Sequence, residues 1–150
     1  MAPKIYHLHP LVAGVLWDWP AHFARCRAMG FDTVCVAPPF VPGACGDIFV
    51  TADQEALHPA LGWSGSADAG IARITQEAAD HGLRIWLDLA IGQVAIDAPI
   101  RRREKQWFAA DGCGAPLTPW RTPGGHQAKS AISIRCIRFI YGPGLKGGRS

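Results

Sequence analysis

After Asp111 the sequence holds no acidic residue. All twelve acids lie at or before that position, where nine basic residues leave a net charge of −3, and the last 39 residues carry six basic residues alone. A cationic end segment is the usual footprint of a nucleic-acid or membrane arm. Here Arg121, Lys129, Arg135, Arg138, Lys146 and Arg149 stand singly among Gly, Pro and Ile, so they make no dense patch. Neither nucleic acid nor membrane is therefore expected as a partner. Long apolar runs are missing too, and none approaches the roughly 18 residues of a membrane span. Over Met1 to Gly14, His7, His9 and Pro10 interrupt the continuous apolar stretch that a secretory signal requires. Paired cysteines are also lacking. The five, Cys26, Cys35, Cys45, Cys113 and Cys136, are odd in number and spaced 9, 10, 68 and 23 apart, which fits neither a disulfide framework nor a CxxC metal site. They are expected to be reduced, small apolar residues of a cytoplasmic protein with no metal and no cofactor.

What is present suits a packed, soluble domain. Hydrophobic residues make up 49% and charged residues 18%, too apolar for a disordered polar tract. Three segments read as buried strands: Ile5 to His9, Thr33 to Ala37 and Arg84 to Leu89. The last two are short, rich in β-branched or large apolar side chains, and preceded by glycine. Each follows a helical stretch. Pro20 suits the first turn of a helix running to Met29, with Phe23, Cys26 and Met29 on one face and Gly30 just beyond its end. A second helix begins after Ser64 or Ser66, places Asp68 in its first turn, turns Ile71, Ile74 and Ala78 inward, and stops at Gly82.

The two units share one grammar: helix, glycine, one apolar residue (Phe31 or Leu83), one charged residue (Asp32 or Arg84), then strand. Alternating elements with such short turns predict an α/β fold with parallel strands. The stretch from Pro38 to Ser66 is much longer than an ordinary loop and leaves the C-terminal end of a strand, where such folds assemble their sites. It contains Phe40, Asp47, Phe49, Asp53, His58, Pro59 and Trp63. Beyond Ala98 the pattern weakens. Arg101 to Lys105 reads as a solvated helix face or turn, with Trp107 and Phe108 packed beside it. Trp17, Trp19, Trp63, Trp86 and Trp107 each read as core or loop-packing residues. From Pro116 only Ile132 to Tyr141 alternates well enough for a strand.

In order and spacing, several of these motifs resemble the α-amylase superfamily of glycoside hydrolases and transglycosylases. They are the first strand, the Gly30-Phe31-Asp32-Thr33-Val34 turn with its strand ending at Pro38, the loop closing in His58-Pro59-Ala60-Leu61-Gly62, and Leu87-Asp88-Leu89. The opening, Ile5-Tyr6-His7-Leu8-His9-Pro10-Leu11, is most similar to bacterial maltosyltransferase-type proteins that extend α-1,4-glucans. The match runs over about residues 4 to 108. It implies the N-terminal part of a (β/α)8 TIM barrel, with about three parallel strands and their helices over 1–115 and an irregular basic tail over 116–150. It also implies action on an α-glucan or maltosyl substrate.

The resemblance further implies an Asp at the end of the third strand, matched by Asp88, with Asn and His four and five residues later. Gly92 and Gln93 stand there instead, and Gln can donate to a sugar hydroxyl but cannot titrate. An aromatic-then-acid pair common in the family falls on Phe49 and Val50, so the aromatic surface remains without the carboxylate. The substrate-binding residues so implied are Phe49, Trp63, Asp88 and Gln93. No catalytic residue is assigned. Retaining chemistry needs a nucleophile and an acid about 5–5.5 Å apart, which the family draws from its fourth and fifth strands, with a further Asp after the seventh. A whole barrel takes about 250 residues, so a truncated enzyme, inactive alone, is expected. The loss of acids and pattern near Pro119 is what a change of reading frame or an early stop would produce.

Three other readings remain open at this level. His7 and His9, two apart on a first strand, share a side of the sheet as in metal-dependent amidohydrolase-type barrels, although without further ligands they read as core or sugar-lining residues. The same three strands would also serve a small doubly wound domain. A non-catalytic glucan-binding fragment is the third. An open three-stranded parallel sheet leaves unpaired edges, from which self-association is expected.

Overall fold

Pro20 in the first turn and three apolar residues at helical spacing set the first helix, α1 (Trp19–Ala28), which buries Trp19, Phe23 and Cys26. The computed structural model describes residues 2–115, 117 and 130–132. Met29 does not continue the buried row and is 51% exposed. Steps of three residues fall about 60° short of a full turn each, so the row rotates off the core side by Met29. Met29 is also the cap residue, from which the chain leaves through Gly30 at φ +85°. The second helix, α2 (Ala67–Asp80), is capped by Ser66, whose Oγ accepts from the Ala69 amide at 3.3 Å. Ala67, Gly70, Ile71, Ile74 and Ala78 line its buried side. Gly82, at φ +69°, turns the chain back toward the sheet, a conformation that a β-carbon would strain.

These turns deliver three parallel strands in the order β1 (Ile5–Leu8), β2 (Thr33–Val36) and β5 (Arg84–Leu87). The strands end one or two residues before the expected limits. The register runs Ile5–Thr33–Arg84 at the N-terminal end and Leu8–Val36–Leu87 at the C-terminal end. Leu8, Val34 and Val36 join Phe23, Cys26, Ile71, Ile74 and Ala78 in one buried cluster, with Tyr6, Ile85 and Leu87 packed against it. Both long helices therefore cover one face of the sheet. A doubly wound sheet would need helices on both. The other face presents Ile5, His7, Cys35 and Trp86, and Trp86 is 46% exposed. Trp86 and Trp17, both expected to pack, are thus surface residues. Trp19 is buried, and Trp63 and Trp107 are partly so.

The long segment after β2 holds an antiparallel pair, β3 (Phe40–Pro42) and β4 (Thr51–Leu57), with register shifts on both sides of Val41. The residue pattern does not reveal this pair, because Pro42 suits only an edge and Asp53-Gln54-Glu55 breaks the apolar alternation. Val50 and Ala52 of this segment form a second, smaller cluster with Val94, Ala95, Ile96, Ala98, Ile100, Trp107 and Phe108. The last seven belong to β6 (Gln93–Ala95), the short helix α3 (Pro99–Arg103) and the turns beside them. Trp107 and Phe108 pack as expected, while Arg102, Arg103 and Lys105 are exposed. Arg101 instead donates to the Ile96 carbonyl. β6 pairs antiparallel with β7 (Ser130–Ile132). The remaining tail, with Cys136, His126 and the rest of the candidate strand Ile132 to Tyr141, lies outside the described residues.

Candidate functional site at the strand ends

Alternation along the strands decides which side chains gather on the open face. His7, Cys35 and Trp86 form one row across it. Main-chain bonds from the Ala37 amide to the Leu8 carbonyl (3.0 Å) and from Asp88 to Val36 (2.9 Å) carry the pairing one residue further. The next row on this face is accordingly His9, Ala37 and Asp88. The Cys35 thiol supports this placement. Its pKa is raised, first by burial and then by the negative charge of Asp88. A thiol held in its neutral form is no nucleophile. In the same row, His9 has a buried Nδ1 without a hydrogen-bond partner.

The hairpin segment and β6 pack on each other, Val50 and Ala52 against Val94 and Ala95. Gln93, opening β6, donates from Nε2 to the Phe49 carbonyl at 3.4 Å. The Phe49 ring itself is 41% exposed. Its amide is held by Asp47 Oδ1 at 2.9 Å, a local turn that fixes where the ring projects. Gly43 seats this loop. A β-carbon there would lie 2.4 Å from Ala95 Cβ and 2.7 Å from Asp97 Oδ1. Asp97 also takes the Ala44 amide at 3.0 Å.

Of the residues expected at the site, Phe49 and Gln93 are therefore joined directly, and Asp88 stands on the open face five positions before Gln93. Trp63 belongs to another neighbourhood: it packs on the helix-side cluster, and its indole donates to the Ser66 carbonyl at 3.0 Å. Other polar groups of the long segment serve its own backbone. Asp53 Oδ1 accepts from the Glu55 amide and His58 Nδ1 from the Ala60 amide. Among the described residues no three His, Cys, Asp or Glu side chains are grouped to hold a metal, and His7 and His9 gain no further ligand. Cys26, Cys35, Cys45 and Cys113 are free thiols, but Cys45 and Cys113 are exposed rather than packed, since both lie in turns. Among the described residues, no helix is long and apolar enough to cross a membrane.

The opposite end of the sheet is a structural staple. Asp32 accepts from the Thr33 hydroxyl (2.7 Å), the Lys4 amide (3.2 Å) and the Arg84 guanidinium (3.1 Å). The Thr33 hydrogen bond is the largest of the causes that hold its carboxyl below the ordinary range.

No family model matches the chain. Over 110 residues the chain is 29% identical to an α-1,4-glucan:maltose-1-phosphate maltosyltransferase of Burkholderia pseudomallei, covering 73% of this chain and 10% of that protein. It superposes on an α-amylase of Lactobacillus plantarum with a TM-score of 0.71 and 18% identity, covering 87% of this chain and 31% of that one. For a maltogenic α-amylase of Thermotoga neapolitana the TM-score is 0.70 at 15% identity, with the same two coverages. A trehalose-6-phosphate hydrolase of Bacillus licheniformis gives 0.62 at 13%, covering 87% and 28%. The chain thus spans a minor part of each of these proteins. Its resemblance is to the α-amylase superfamily and its maltosyltransferases, and its fold is the N-terminal part of a (β/α)8 barrel.

Proposed function

We propose that this chain supplies one wall of an α-1,4-glucan site, of the kind used for retaining transfer or hydrolysis, and that it has no turnover by itself. The observation that carries the reading is the row His9–Ala37–Asp88 at the strand ends, with Gln93, five residues beyond Asp88, bonded to the Phe49 carbonyl. Asp88 accepts sugar hydroxyls, the Gln93 amide lines the rim, and the exposed Phe49 ring stacks on a pyranose face. The partnerless Nδ1 of His9 suits a hydroxyl in the same row. The likeness to a protein named for maltosyl transfer supports the α-glucan choice.

The lack of turnover follows from the acids. A retaining reaction needs two carboxyl groups about 5–5.5 Å apart. Of the three parallel strands only β5, which Asp88 follows, runs into an acid; the others run into His9-Pro10 and Ala37-Pro38, and no acid follows Asp111. The unpaired outer edges that β1 and β5 present among the described residues support association between copies. The free thiols suit a cytoplasmic setting.

Titration with maltotriose, followed by amide NMR, tests the site. Shifts centred on His9, Phe49, Asp88 and Gln93, and lost in Asp88→Ala, are expected. Shifts that survive that substitution would place the sugar elsewhere.

A further inference from the structure

The loop that carries Phe49 closes on itself. From Gly43 to Val50, the Gly43 amide donates to the Val50 carbonyl, the Gly46 amide to the Gly43 carbonyl and the Val50 amide to the Asp47 carbonyl, each at 2.9 Å. Ile48 and Val50 are buried while Phe49 between them is exposed, so the ring points where the loop points. Two side chains tie this loop to β6 and the turn after it. Gln93 reaches the Phe49 carbonyl at 3.4 Å, beyond the usual range and so the weaker hold. At the other end of the loop Asp97, two residues past β6, accepts from the Ala44 amide through Oδ2 at 3.0 Å.

The Asp97 carboxylate has no other engagement. Among the described residues it makes no ion pair and no second hydrogen bond. Arg101, four residues on, donates to the Ile96 carbonyl instead. The carboxylate also stands over Gly43, where a β-carbon would lie 2.7 Å from its Oδ1, so both oxygens are turned to the loop. A charged acceptor holds a backbone amide more tightly than a neutral one. Asp97 is therefore the stronger of the two ties.

Resting on the α-glucan reading, we infer that Asp97 is a positioning residue for the sugar-stacking ring: it touches no sugar and sets the aim of Phe49 through the Ala44 amide. Without it the loop must be ordered at the moment of binding, and that cost is taken from affinity.

The test is maltotriose titration followed by amide NMR on the full chain, Asp97→Ala, Asp97→Asn, Phe49→Ala and the double variant Asp97→Ala with Phe49→Ala. Circular dichroism first confirms that each folds. Asp97→Ala should raise the maltotriose Kd about threefold to tenfold, equal to about 0.7–1.4 kcal/mol. Asp97→Asn, which keeps an acceptor oxygen, should recover most of that loss. In the Phe49→Ala background Asp97→Ala should add nothing, because the ring it aims is gone. Without sugar, the Phe49 amide order parameter should fall in Asp97→Ala from near the rigid value of about 0.85 to below about 0.6. An unchanged Kd in Asp97→Ala, or the same loss with and without the Phe49 ring, overturns the inference. If Phe49→Ala and Asp88→Ala still weaken maltotriose binding in that case, the strand-end proposal stands and the positioning role alone falls; if the full chain binds no maltotriose, both fall.

Discussion

Replacing Gly43 by alanine should unseat the hairpin from β6 at a definable cost. The added β-carbon would lie 2.4 Å from Ala95 Cβ. Carbon atoms prefer about 3.5–4.0 Å, so the gap is short by at least about 1 Å. Ala95 is fully buried and its β-carbon cannot rotate away, so backbone must move. Overpacking of this kind costs typically about 1–3 kcal/mol. The same movement would strain the Ala44 amide bond to Asp97, adding about 1 kcal/mol or less at this exposed position. Urea denaturation of the wild type, Gly43→Ala, Ala95→Gly and the double variant measures the coupling. The double variant should recover at least half of the loss caused by Gly43→Ala, because the clashing partner is gone. A Gly43→Ala midpoint within about 0.3 kcal/mol of the wild type would refute the reasoning.

Three further outcomes rest on the packing and the staple. Phe23→Ala, at a fully buried site edge-on to Trp19, should cost about 3–5 kcal/mol, whereas Met29→Ala should stay within about 0.5 kcal/mol; urea midpoints compare them. The Asp32 carboxyl has its pKa lowered by folding, so its contribution to stability is present above the ordinary value of about 3.9 and is lost as the pH falls through the folded value. Asp32→Asn should therefore be less stable than the wild type at pH 7 and close to it at pH 2, as followed by circular dichroism. The edges that β1 and β5 leave open among the described residues predict concentration-dependent association, and a sharp, monodisperse monomer on sizing chromatography at every concentration would contradict that.

The repeated grammar of Gly30-Phe31-Asp32 and Gly82-Leu83-Arg84 makes the parallel sheet legible from residue order alone. Both glycines take positive φ, and the two charged positions meet as an ion pair at 3.1 Å because the strands run side by side in register. Helical spacing likewise reveals the Ile71, Ile74 and Ala78 face. The β3–β4 pair is not legible, since its register shifts and Pro42 erase the period that marks a strand. Pairing of β6 with β7 joins residues more than thirty apart in the chain, a contact that no local pattern encodes. At the candidate site, motif spacing singles out Asp88, Phe49 and Gln93, and the structure bonds Gln93 to Phe49. The separate place of Trp63 is not, because it depends on Gly70 letting α2 approach so closely.

The most direct measurement is product release from a starch-like glucan. The purified chain should free no reducing ends and lengthen no chain, with or without a maltosyl donor, while still binding maltotriose through Asp88. Turnover that disappears in Asp88→Asn would contradict the account.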